Sequence, residues 1–566
     1  MTTSSRTIAY FSMELGLEAE MPTYSGGLGV LSGDTLRAAA DLDLPMVGVS
    51  LLYRRGFFRQ HLDKNGIQTE SAPQWDPERF LEPLDVRLTL TLEGRPVQVG
   101  AWLYHVRGFR STVPVYFLDT DLPENEDVDR ALTGQLYGGD GRYRLRQEAL
   151  LGLGGLALLR ALGGYNIETF HMNEGHSALL TLGLLDEVVT GRGLSAATDA
   201  DYAAVRRLCV FTTHTPVVAG HDRFSIDLVR EILGDYVTDA IAHLPCCDSG
   251  ELNMTYLGLF FSRYINGVAE RHGEIAQAMY PGYHVSSITN GVHSMTWTSD
   301  AFMELYDREL PGWRADANYL RRALGMPVEH ILEAHSKAKR ALFAEVARRS
   351  GVNLDPQVMT IGFARRAATY KRADLVFSDL DALRQIDREV GPLQFVYAGK
   401  AHPHDEPAKA LIRRVFEASS HLGETLPVVY LEDHDMALGK LLCSGVDLWL
   451  NNPEKPMEAS GTSGMKAALN GVPSLSVLDG WWPEGWIEGV TGWSIGGSGI
   501  ESDPVEELTS LYSKLRYVIV PLYYGSPSGY ARVMRSTIAV NGSYFTTQRM
   551  MRQYRDNAYH RMPEGH

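Results

Sequence analysis

The sequence predicts an α/β protein made of two doubly wound, Rossmann-like domains. Its 566 residues exceed what one hydrophobic core usually organises, so two domains or more are expected. Strand-like apolar runs alternate with helix-period segments along most of the chain, which is the pattern of βαβ units around parallel sheets. Two such sheets leave a cleft at the carboxyl ends of their strands, where ligands of open α/β sheets bind.

The first half is predicted to form an α/β domain over residues 1–300. Its strand-like runs are residues 8–12, 44–53, 97–106, 113–119 and 207–213. A helix is expected over 148–162, and the neighbourhood of 94–106 is typical of a hairpin insertion. Charged, helical sequence over 301–356 predicts a junction between the domains.

The second half is predicted to form a Rossmann-like domain over residues 357–500. Its strand-like runs are residues 360–363, 393–398, 428–431, 446–450 and 474–478. Helical periodicity separates them, for example over 375–390. Residues 501–566 are expected to form helices that pack back across both domains.

Composition excludes several classes of partner. The formal net charge of -16 argues against nucleic acid or an anionic membrane as the main partner. Four irregularly spaced cysteines fit neither a disulfide framework nor a zinc site, which predicts a reducing compartment. The first six residues have no apolar signal-peptide region, and the most apolar helix is interrupted by glycines and Arg160. A soluble, cytoplasmic protein is expected.

The segment 458–466, Glu-Ala-Ser-Gly-Thr-Ser-Gly-Met-Lys, places a loop of small residues and a lysine at the head of a helix predicted over 465–470. The first amides of a helix lack partners and its dipole is positive there, so the backbone can hold a phosphate, with Gly461 and Gly464 permitting close approach. A desolvated Lys466 could form a Schiff base with pyridoxal phosphate. A tight loop with a solvated lysine is the alternative interpretation.

Two further segments suit anions. Residues 24–34, Tyr-Ser-Gly-Gly-Leu-Gly-Val-Leu-Ser-Gly-Asp, precede a predicted helix, and a tight glycine turn presents N–H groups to an oxyanion. Residues 364–372, Ala-Arg-Arg-Ala-Ala-Thr-Tyr-Lys-Arg, place four cations after a strand, enough to hold two phosphates. The alternatives are a structural turn and a solvated basic helix face.

Histidines and tryptophans carry weaker signals. The segments 173–176 and 212–221 hold histidines at predicted strand ends without zincin spacing, so metal binding is disfavoured. Hydrogen bonding to a polyhydroxylated ligand, or structural pairing, fits them better. The tryptophans of 480–486 could stack on sugar rings, but core packing is the default explanation.

Together these motifs resemble the α-glucan phosphorylases, the enzymes of glycogen, starch and maltodextrin. Residues 458–471 are similar to the family's pyridoxal-phosphate lysine segment. Other similar segments, in the family's order, are 24–29, 144–148, 173–176, 213–215, 289–292, 365–372 and 395–403. The resemblance implies a glycosyltransferase-B fold with a catalytic cleft between its domains. It also implies reversible phosphorolysis of a terminal α-1,4 bond to α-D-glucose 1-phosphate, with retained configuration.

The resemblance assigns roles residue by residue. The residues it implies for catalysis are Arg366, Lys371, His214 and Lys466. Those for pyridoxal 5'-phosphate are Lys466, Thr462, Ser463 and Arg365. Those for phosphate and the glucosyl unit are Gly26, Gly27, Glu458, Ser460, Gly461 and Asn290. The cofactor's phosphate would relay the proton that a carboxylate pair handles in retaining glycosidases, with the cations offsetting phosphate repulsion.

The chain departs from the longer members of that family. Arg365 stands in place of a lysine, Ala368 and Thr369 replace a His-Glu pair, and Gly464 replaces an asparagine. Charge is kept at 365, so activity is expected to survive. The first strand begins almost at once, so the regulatory N-terminal arm, and with it allosteric control, is expected to be absent. The family is often dimeric, which makes a homo-oligomer possible.

Two other functions remain open from the sequence. A nucleotide-sugar-dependent glycogen or starch synthase shares the fold and a similar Gly-Gly-Leu-Gly loop, but it needs no lysine at position 466. A glucan-binding protein with an inactive site is the other, and the presence of Lys466, Arg366 and Lys371 argues against it.

Overall fold

The computed structural model of the protein describes residues 6–217, 220–248 and 250–560. The predictions for the extreme N-terminus, for the last six residues of 501–566 and for positions 218 and 219 of the second histidine segment lie outside these ranges.

Both halves of the chain contain strands and helices in alternation. The strands are β1 (Arg6–Ser12), β2 (Met46–Leu51), β3 (Arg59–Leu62), β4 (Gln68–Ser71), β5 (Glu82–Pro83), β6 (Leu88–Leu92), β7 (Arg95–Arg107), β8 (Thr112–Asp119), β9 (Asn166–Asn173), β10 (Cys209–Thr212), β11 (Arg223–Ser225), β12 (Cys247–Asp248), β13 (Glu251–Asn253), β14 (Tyr264–Gly267), β15 (Ser286–Ser287), β16 (Met359–Ala364), β17 (Leu393–Ala398), β18 (Val428–Leu431), β19 (Leu448–Asn451), β20 (Ser474–Val477) and β21 (Gly492–Ile495). The α-helices are α1 (Gly27–Asp41), α2 (Asp127–Arg130), α3 (Gly141–Ala149), α4 (Gly155–Leu162), α5 (Leu180–Val188), α6 (Asp199–Arg206), α7 (Ile226–Leu233), α8 (Asp235–Ile241), α9 (Met254–Phe260), α10 (Glu270–Met279), α11 (Ser294–Trp297), α12 (Asp300–Glu309), α13 (Val328–Ser350), α14 (Leu380–Glu389), α15 (Glu406–Leu422), α16 (Met436–Gly445), α17 (Ser463–Leu469), α18 (Trp482–Gly485), α19 (Pro504–Lys514), α20 (Val520–Gly525), α21 (Pro527–Thr537) and α22 (Thr547–Gln553).

The first large sheet has ten strands in the order β15-β14-β10-β9-β1-β2-β8-β7-β5, with β6 beside β7. From β15 to β8 all neighbours are parallel, and the apolar side chains of these strands contribute to two core clusters. The hairpin predicted near 94–106 is confirmed, because β6 and β7 pair antiparallel and β7 continues antiparallel along β8.

The second large sheet has six strands, all parallel, in the order β18-β17-β16-β19-β20-β21. The five strands predicted for this half are confirmed, with shifts of one or two residues at some ends. Every residue of β16 and β17 is buried, as expected for strands covered by helices on both faces.

Several predicted helices begin elsewhere in the structure, and local contacts explain two of these differences. The prediction of one helix over 375–390 is wrong at its start: α14 begins only at Leu380, because the Asp379 side chain accepts the Ala382 N–H and caps it. The glycine segment 24–34 is not a loop throughout, since α1 already begins at Gly27. Packing explains the later glycines, because a Cβ on Gly33 would lie 2.0 Å from the Gly16 carbonyl oxygen.

A hairpin from the first half supports the second sheet near its carboxyl edge. In β3 and β4, Gln60 donates to the Gly399 carbonyl at 2.9 Å and Gln68 to the Ala401 carbonyl at 2.8 Å. Lys400, between them, accepts the Ala367 N–H through its carbonyl at 2.9 Å. The hairpin therefore fixes the backbone beside the basic segment 364–372.

The C-terminal helices contact both sheets. Side chains of α20, α21 and the following turn, such as Ile538, pack in the core of the second sheet. Met551, Tyr554 and Tyr559 instead pack with Ile8 of the first sheet. Within the described residues, no helix is long and apolar enough to cross a membrane.

A buried ion pair joins α13 to the second sheet. The Asp447 carboxylate accepts from Lys339 Nζ at 2.7 Å, from a His335 ring nitrogen at 2.8 Å and from the Thr360 N–H at 2.7 Å. Burial alone would raise the pKa of Asp447, but Lys339 and His335 outweigh it and lower the pKa. These contacts hold the carboxylate in its ionised form.

We expect Lys339→Ala to destabilise the protein by about 3–5 kcal/mol, because it leaves a buried carboxylate without its main counter-charge. Urea unfolding followed by circular dichroism measures this. The matched control is Lys337→Ala in the same helix, whose exposed pair with Glu333 at 3.1 Å contributes at most about 0.5 kcal/mol. Equal effects of the two variants would contradict the assignment.

Candidate functional site

The polar residues of the site lie where parallel strands end. Arg365 directly follows β16, Asp479 follows β20, and the loop after β19 leads into α17. Carboxyl ends of parallel strands share one edge of the sheet, so these segments meet there. On the side of the first sheet, Leu28 of α1 and His214 after β10 line a cavity whose other lining residues also come from the first half of the chain.

A carboxylate lies between two cations at the centre of the site. Glu458 Oε2 accepts from Arg365 Nη2 and from Lys371 Nζ, both at 2.6 Å, and all three side chains are more than nine-tenths buried. Burial alone would raise the pKa of Glu458, but Arg365 and Lys371 outweigh it and hold the pKa at about 2. The carboxylate is therefore ionised, and this group of three side chains keeps one net positive charge.

Several predicted site residues carry buried polar atoms that have no partner within the protein. These atoms are Nε and Nη1 of Arg365, Oγ of Ser460 and Oδ1 of Asn290. Buried polar groups in native proteins are nearly always hydrogen-bonded, so unpaired ones require a ligand or a water molecule. Arg365 in particular offers two donors to an anion while its third nitrogen holds Glu458.

Lys466 lies in the second turn of α17, against an aromatic ring. Its Nζ is 3.6 Å from the centroid of Trp297, whose indole N–H donates to Asp34 of α1 at 2.6 Å. Burial lowers the pKa of Lys466, partly opposed by Asp34 and Cys443. Trp297 thus links α1 to α17. The lowered pKa increases the fraction of Lys466 that is present as the free amine.

The loop before Lys466 needs its glycines. Gly461 has φ +78°, in the left-handed region that favours glycine. A Cβ on Gly464 would lie 2.9 Å from the Trp481 ring and 3.0 Å from Ser474 Oγ, so a side chain there would require these neighbours to move. Ser463 Oγ accepts from the Trp449 indole N–H at 3.0 Å, and Thr462 is the N-cap residue of α17.

At α1, the open glycines are Gly26 and Gly27. A Cβ on either would meet nothing within 4 Å, so the surrounding space is free. Glu14, which the sequence analysis missed, accepts the N–H of Ser25 at 2.6 Å and of Gly26 at 3.2 Å. A Glu after a strand is too common to be recognised without the fold. The N–H of Gly27, one residue further along, belongs to the first turn of the helix and has no intrahelical partner.

His214 borders a small cavity of about 100 Å³ beside Leu28 of α1. Its backbone N–H donates to Glu174 Oε2 at 2.6 Å, and its ring Nε2 lies 2.6 Å from Asn173 Oδ1. Burial, helped by three neighbouring histidines, lowers the pKa of His214 to about 3. The imidazole is therefore neutral at physiological pH and suited to hydrogen bonding.

The four predicted cations do not act as one cluster. Arg365 and Lys371 hold Glu458, whereas Arg366 is exposed and stands outside this ion-pair group. Arg372 donates to the carbonyls of Asn452 and Pro453 at 2.9 and 2.8 Å, which is a structural role. The sequence could not separate these roles, because all four residues follow the same strand.

Two of the weaker sequence signals concern tryptophans and metal ligands. Trp481 and Trp482 are buried in the core of the second sheet, as the default interpretation expected. Among the residues that the structure describes, no group of three His, Cys, Asp or Glu side chains could hold a metal ion.

Known proteins resemble this chain over most of its length. A family model described as carbohydrate phosphorylase matches residues 236–484. A maltodextrin phosphorylase of Thermococcus litoralis is 37% identical, over 98% of this chain and 70% of the relative. A glycogen phosphorylase of Mycobacterium tuberculosis is 36% identical over the same shares, and one of Aquifex aeolicus is 32% identical over 98% and 86%. The chain therefore belongs to the α-glucan phosphorylase family.

Proposed function

We propose that this protein is an α-1,4-glucan phosphorylase. It cleaves the terminal α-1,4-glucosidic bond with inorganic phosphate and releases α-D-glucose 1-phosphate with retained configuration, reversibly. The observation that carries the proposal is the buried group of Arg365, Lys371 and Glu458, in which two Arg365 donors are unpaired. Glu458 lies on the loop that leads to Lys466, and the two cations follow β16. The names of the relatives, maltodextrin and glycogen phosphorylase, support the same reaction.

The proposed architecture is the glycosyltransferase-B type, with two Rossmann-like domains around the reaction cleft. The proposed divisions are 1–300, a helical junction over 301–356, 357–500, and C-terminal helices over 501–566. Two separate parallel sheets support this division. In this proposal the site residues lie beyond the carboxyl edge of the second sheet, at the start of α1, and after β10 and β15 of the first sheet, an arrangement that would suit a cleft between domains.

The residues around Lys466 fit pyridoxal 5'-phosphate. Lys466 would hold the aldehyde end beside Trp297, and Thr462, Ser463 and Arg365 would hold the phosphate end. The unpaired nitrogens of Arg365 match an anion with several acceptors. When bound, this cofactor supplies an acidic phosphate group that exchanges a proton with the substrate phosphate.

The chain's own residues would position both substrates. Arg366, Lys371 and the N–H of Gly27, next to Gly26, would bind the substrate phosphate and stabilise the charge that develops on it. The residues proposed around the glucosyl unit are Glu458, Ser460, Gly461, Asn290 and His214. Unpaired atoms on Ser460 and Asn290 support hydroxyl recognition, and a neutral His214 suits hydrogen bonding to a sugar hydroxyl.

The decisive experiment mixes purified, cofactor-loaded protein with maltodextrin and inorganic phosphate. We expect release of glucose 1-phosphate, and synthesis of glucan when glucose 1-phosphate is supplied instead. The matching family model and relatives are phosphorylases, which does not favour a synthase. Consumption of nucleotide-glucose without phosphorolysis would support that alternative. Glucan binding without either reaction would indicate an inactive site. Maltose, short maltodextrins and glycogen should be compared as substrates.

Three further expectations accompany this proposal. A cytoplasmic location agrees with the free state of Cys209, Cys246, Cys247 and Cys443. A homo-oligomer and an absence of allosteric effectors remain predictions, which light scattering and activity assays with nucleotides would test.

A further inference from the structure

The segment after β20 braces the loop that carries Glu458. Asp479 Oδ2 accepts the Glu458 N–H at 2.9 Å, and the Trp481 N–H donates to the Ser460 carbonyl at 2.9 Å. Between them, Gly480 has φ +58°, and a Cβ there would lie 2.3 Å from the Ser460 oxygen. Two successive backbone contacts therefore fix the main chain of Glu458 and Ser460 against the end of a strand.

Asp479 is an unusual residue for a purely structural support. Its side chain is 97% buried, since only 3% of its surface is exposed. A second buried carboxylate, Glu458, lies next to it and disfavours its ionised form, while Arg271 of α10 favours it. Beyond Glu458 lie the cations Arg365 and Lys371. Asp479 thus contacts the backbone of Glu458, and the side chain of Glu458 contacts the two cations.

The balance of these groups places the titration of Asp479 close to neutral pH. Burial raises the pKa of Asp479 to about 6, with the charge of Glu458 adding to the rise and the N–H groups of Glu458 and Gly480 and the charge of Arg271 opposing it. Its ionised form is thus the majority at pH 7.5 and the minority at pH 5. Carboxylates with strongly raised pKa values cluster at functional sites.

We propose that Asp479 is a positioning residue for the phosphate site. Its carboxylate holds the main chain of Glu458, which keeps the Glu458 side chain between Arg365 and Lys371 and so orients both cations for phosphate. Asp479 itself touches neither phosphate nor glucan in this role. The proposal rests on the function proposed above, because it concerns the phosphate site of that reaction.

Asp479→Asn tests the proposal. The Asp479 carboxylate accepts from the N–H groups of Glu458 and Gly480. An asparagine has only one acceptor oxygen, and its NH₂ group would face the other N–H, so the loop loses a charge-assisted hydrogen bond. At pH 7.5 we expect the phosphate KM to rise about tenfold or more, with a smaller change in kcat. The ratio of variant to wild-type KM should shrink as the pH falls through about 6, since the wild-type carboxyl then becomes protonated. The ratio cancels the titration of phosphate itself.

The matched control is Asp387→Asn. Asp387 also accepts a backbone N–H, from Leu393 at 2.9 Å, and burial also raises its pKa, but it lies at the end of α14. The variant Asp387→Asn should leave the phosphate KM unchanged at every pH. A ratio for Asp479→Asn that stays constant from pH 5 to 8, or equals that of the control, would overturn the proposal.

A second measurement needs neither activity nor a variant. Hydrogen exchange of the Glu458 amide in the wild-type holoenzyme, expressed as a protection factor, should be high at pH 7.5 and at least several-fold lower at pH 5. Unchanged protection would refute the role of Asp479 even if Asp479→Asn failed to fold. If the wild type released no glucose 1-phosphate, the proposed reaction would be wrong. The protection factor of the Glu458 amide would still test the contact with Asp479.

Discussion

Lys466→Ala is expected to abolish phosphorolysis, with kcat reduced at least about a thousandfold, and to remove the near-ultraviolet absorbance and fluorescence of bound pyridoxal phosphate. Lys466 is the amine that the structure places at the head of α17, and burial lowers its pKa, which favours the nucleophilic form. Absorbance of the purified protein and release of glucose 1-phosphate measure the two effects on one sample.

Lys440→Ala is the matched control for this experiment. Burial also lowers the pKa of Lys440, which lies in α16 with Asp300 3.7 Å away. It should retain the absorbance and most of the activity. If Lys466→Ala kept the chromophore and the activity, another residue would have to hold the cofactor, and the assignment of this loop would be wrong.

Lys371→Ala should lower kcat/KM for phosphate by about a hundredfold to a thousandfold, as expected for loss of one preorganised donor to a developing anion. Arg365 would remain to pair Glu458, so the fold and the bound cofactor should survive. Initial rates at varied phosphate, together with the cofactor absorbance, separate this outcome from general damage.

The control for Lys371 is Lys337→Ala, which removes an exposed cation of α13 and should leave the rate unchanged. A loss of cofactor absorbance in Lys371→Ala would place Lys371 with the cofactor's phosphate instead of the substrate's. An unchanged rate would remove Lys371 from the phosphate site altogether.

The second sheet was predictable from sequence for a physical reason. Five of its six strands were predicted, because they are almost entirely buried and most of them appear as short apolar runs, such as β17. Positions at the ends of such strands were also predictable as site residues, because parallel strands present their carboxyl ends at one edge. Arg365 and Lys371 were predicted on this ground, and the structure brings both side chains to Glu458.

What the sequence could not predict depends on contacts between distant segments. The start of α1 was missed because its glycines suggest a loop, whereas Gly33 is required by the Gly16 backbone lying against it. Asp479 and Glu14 were missed for a similar reason, since each acts on a backbone N–H of another segment. Arg365 and Arg372 both follow β16, but Arg365 pairs with the Glu458 carboxylate and Arg372 donates to the Asn452 carbonyl. This difference depends on the surroundings of each side chain, which the sequence does not reveal.

The packing of the C-terminal residues affects how the protein folds during synthesis. The hydroxyl of Tyr559 lies 2.8 Å from a ring nitrogen of His171, a partner 388 positions earlier in the chain, and Tyr554 bonds to Asn266 at 2.9 Å. Tyr554 and Tyr559 lie beyond α22, so we expect this part of the first sheet's core to be completed only after they have been synthesised. Because domains normally fold as units during synthesis, we expect the N-terminal half to remain an incompletely packed intermediate until then. We expect chaperones to bind the apolar surface that is exposed in this intermediate. Deletion of the residues from Tyr554 onward should destabilise the first sheet more than the second.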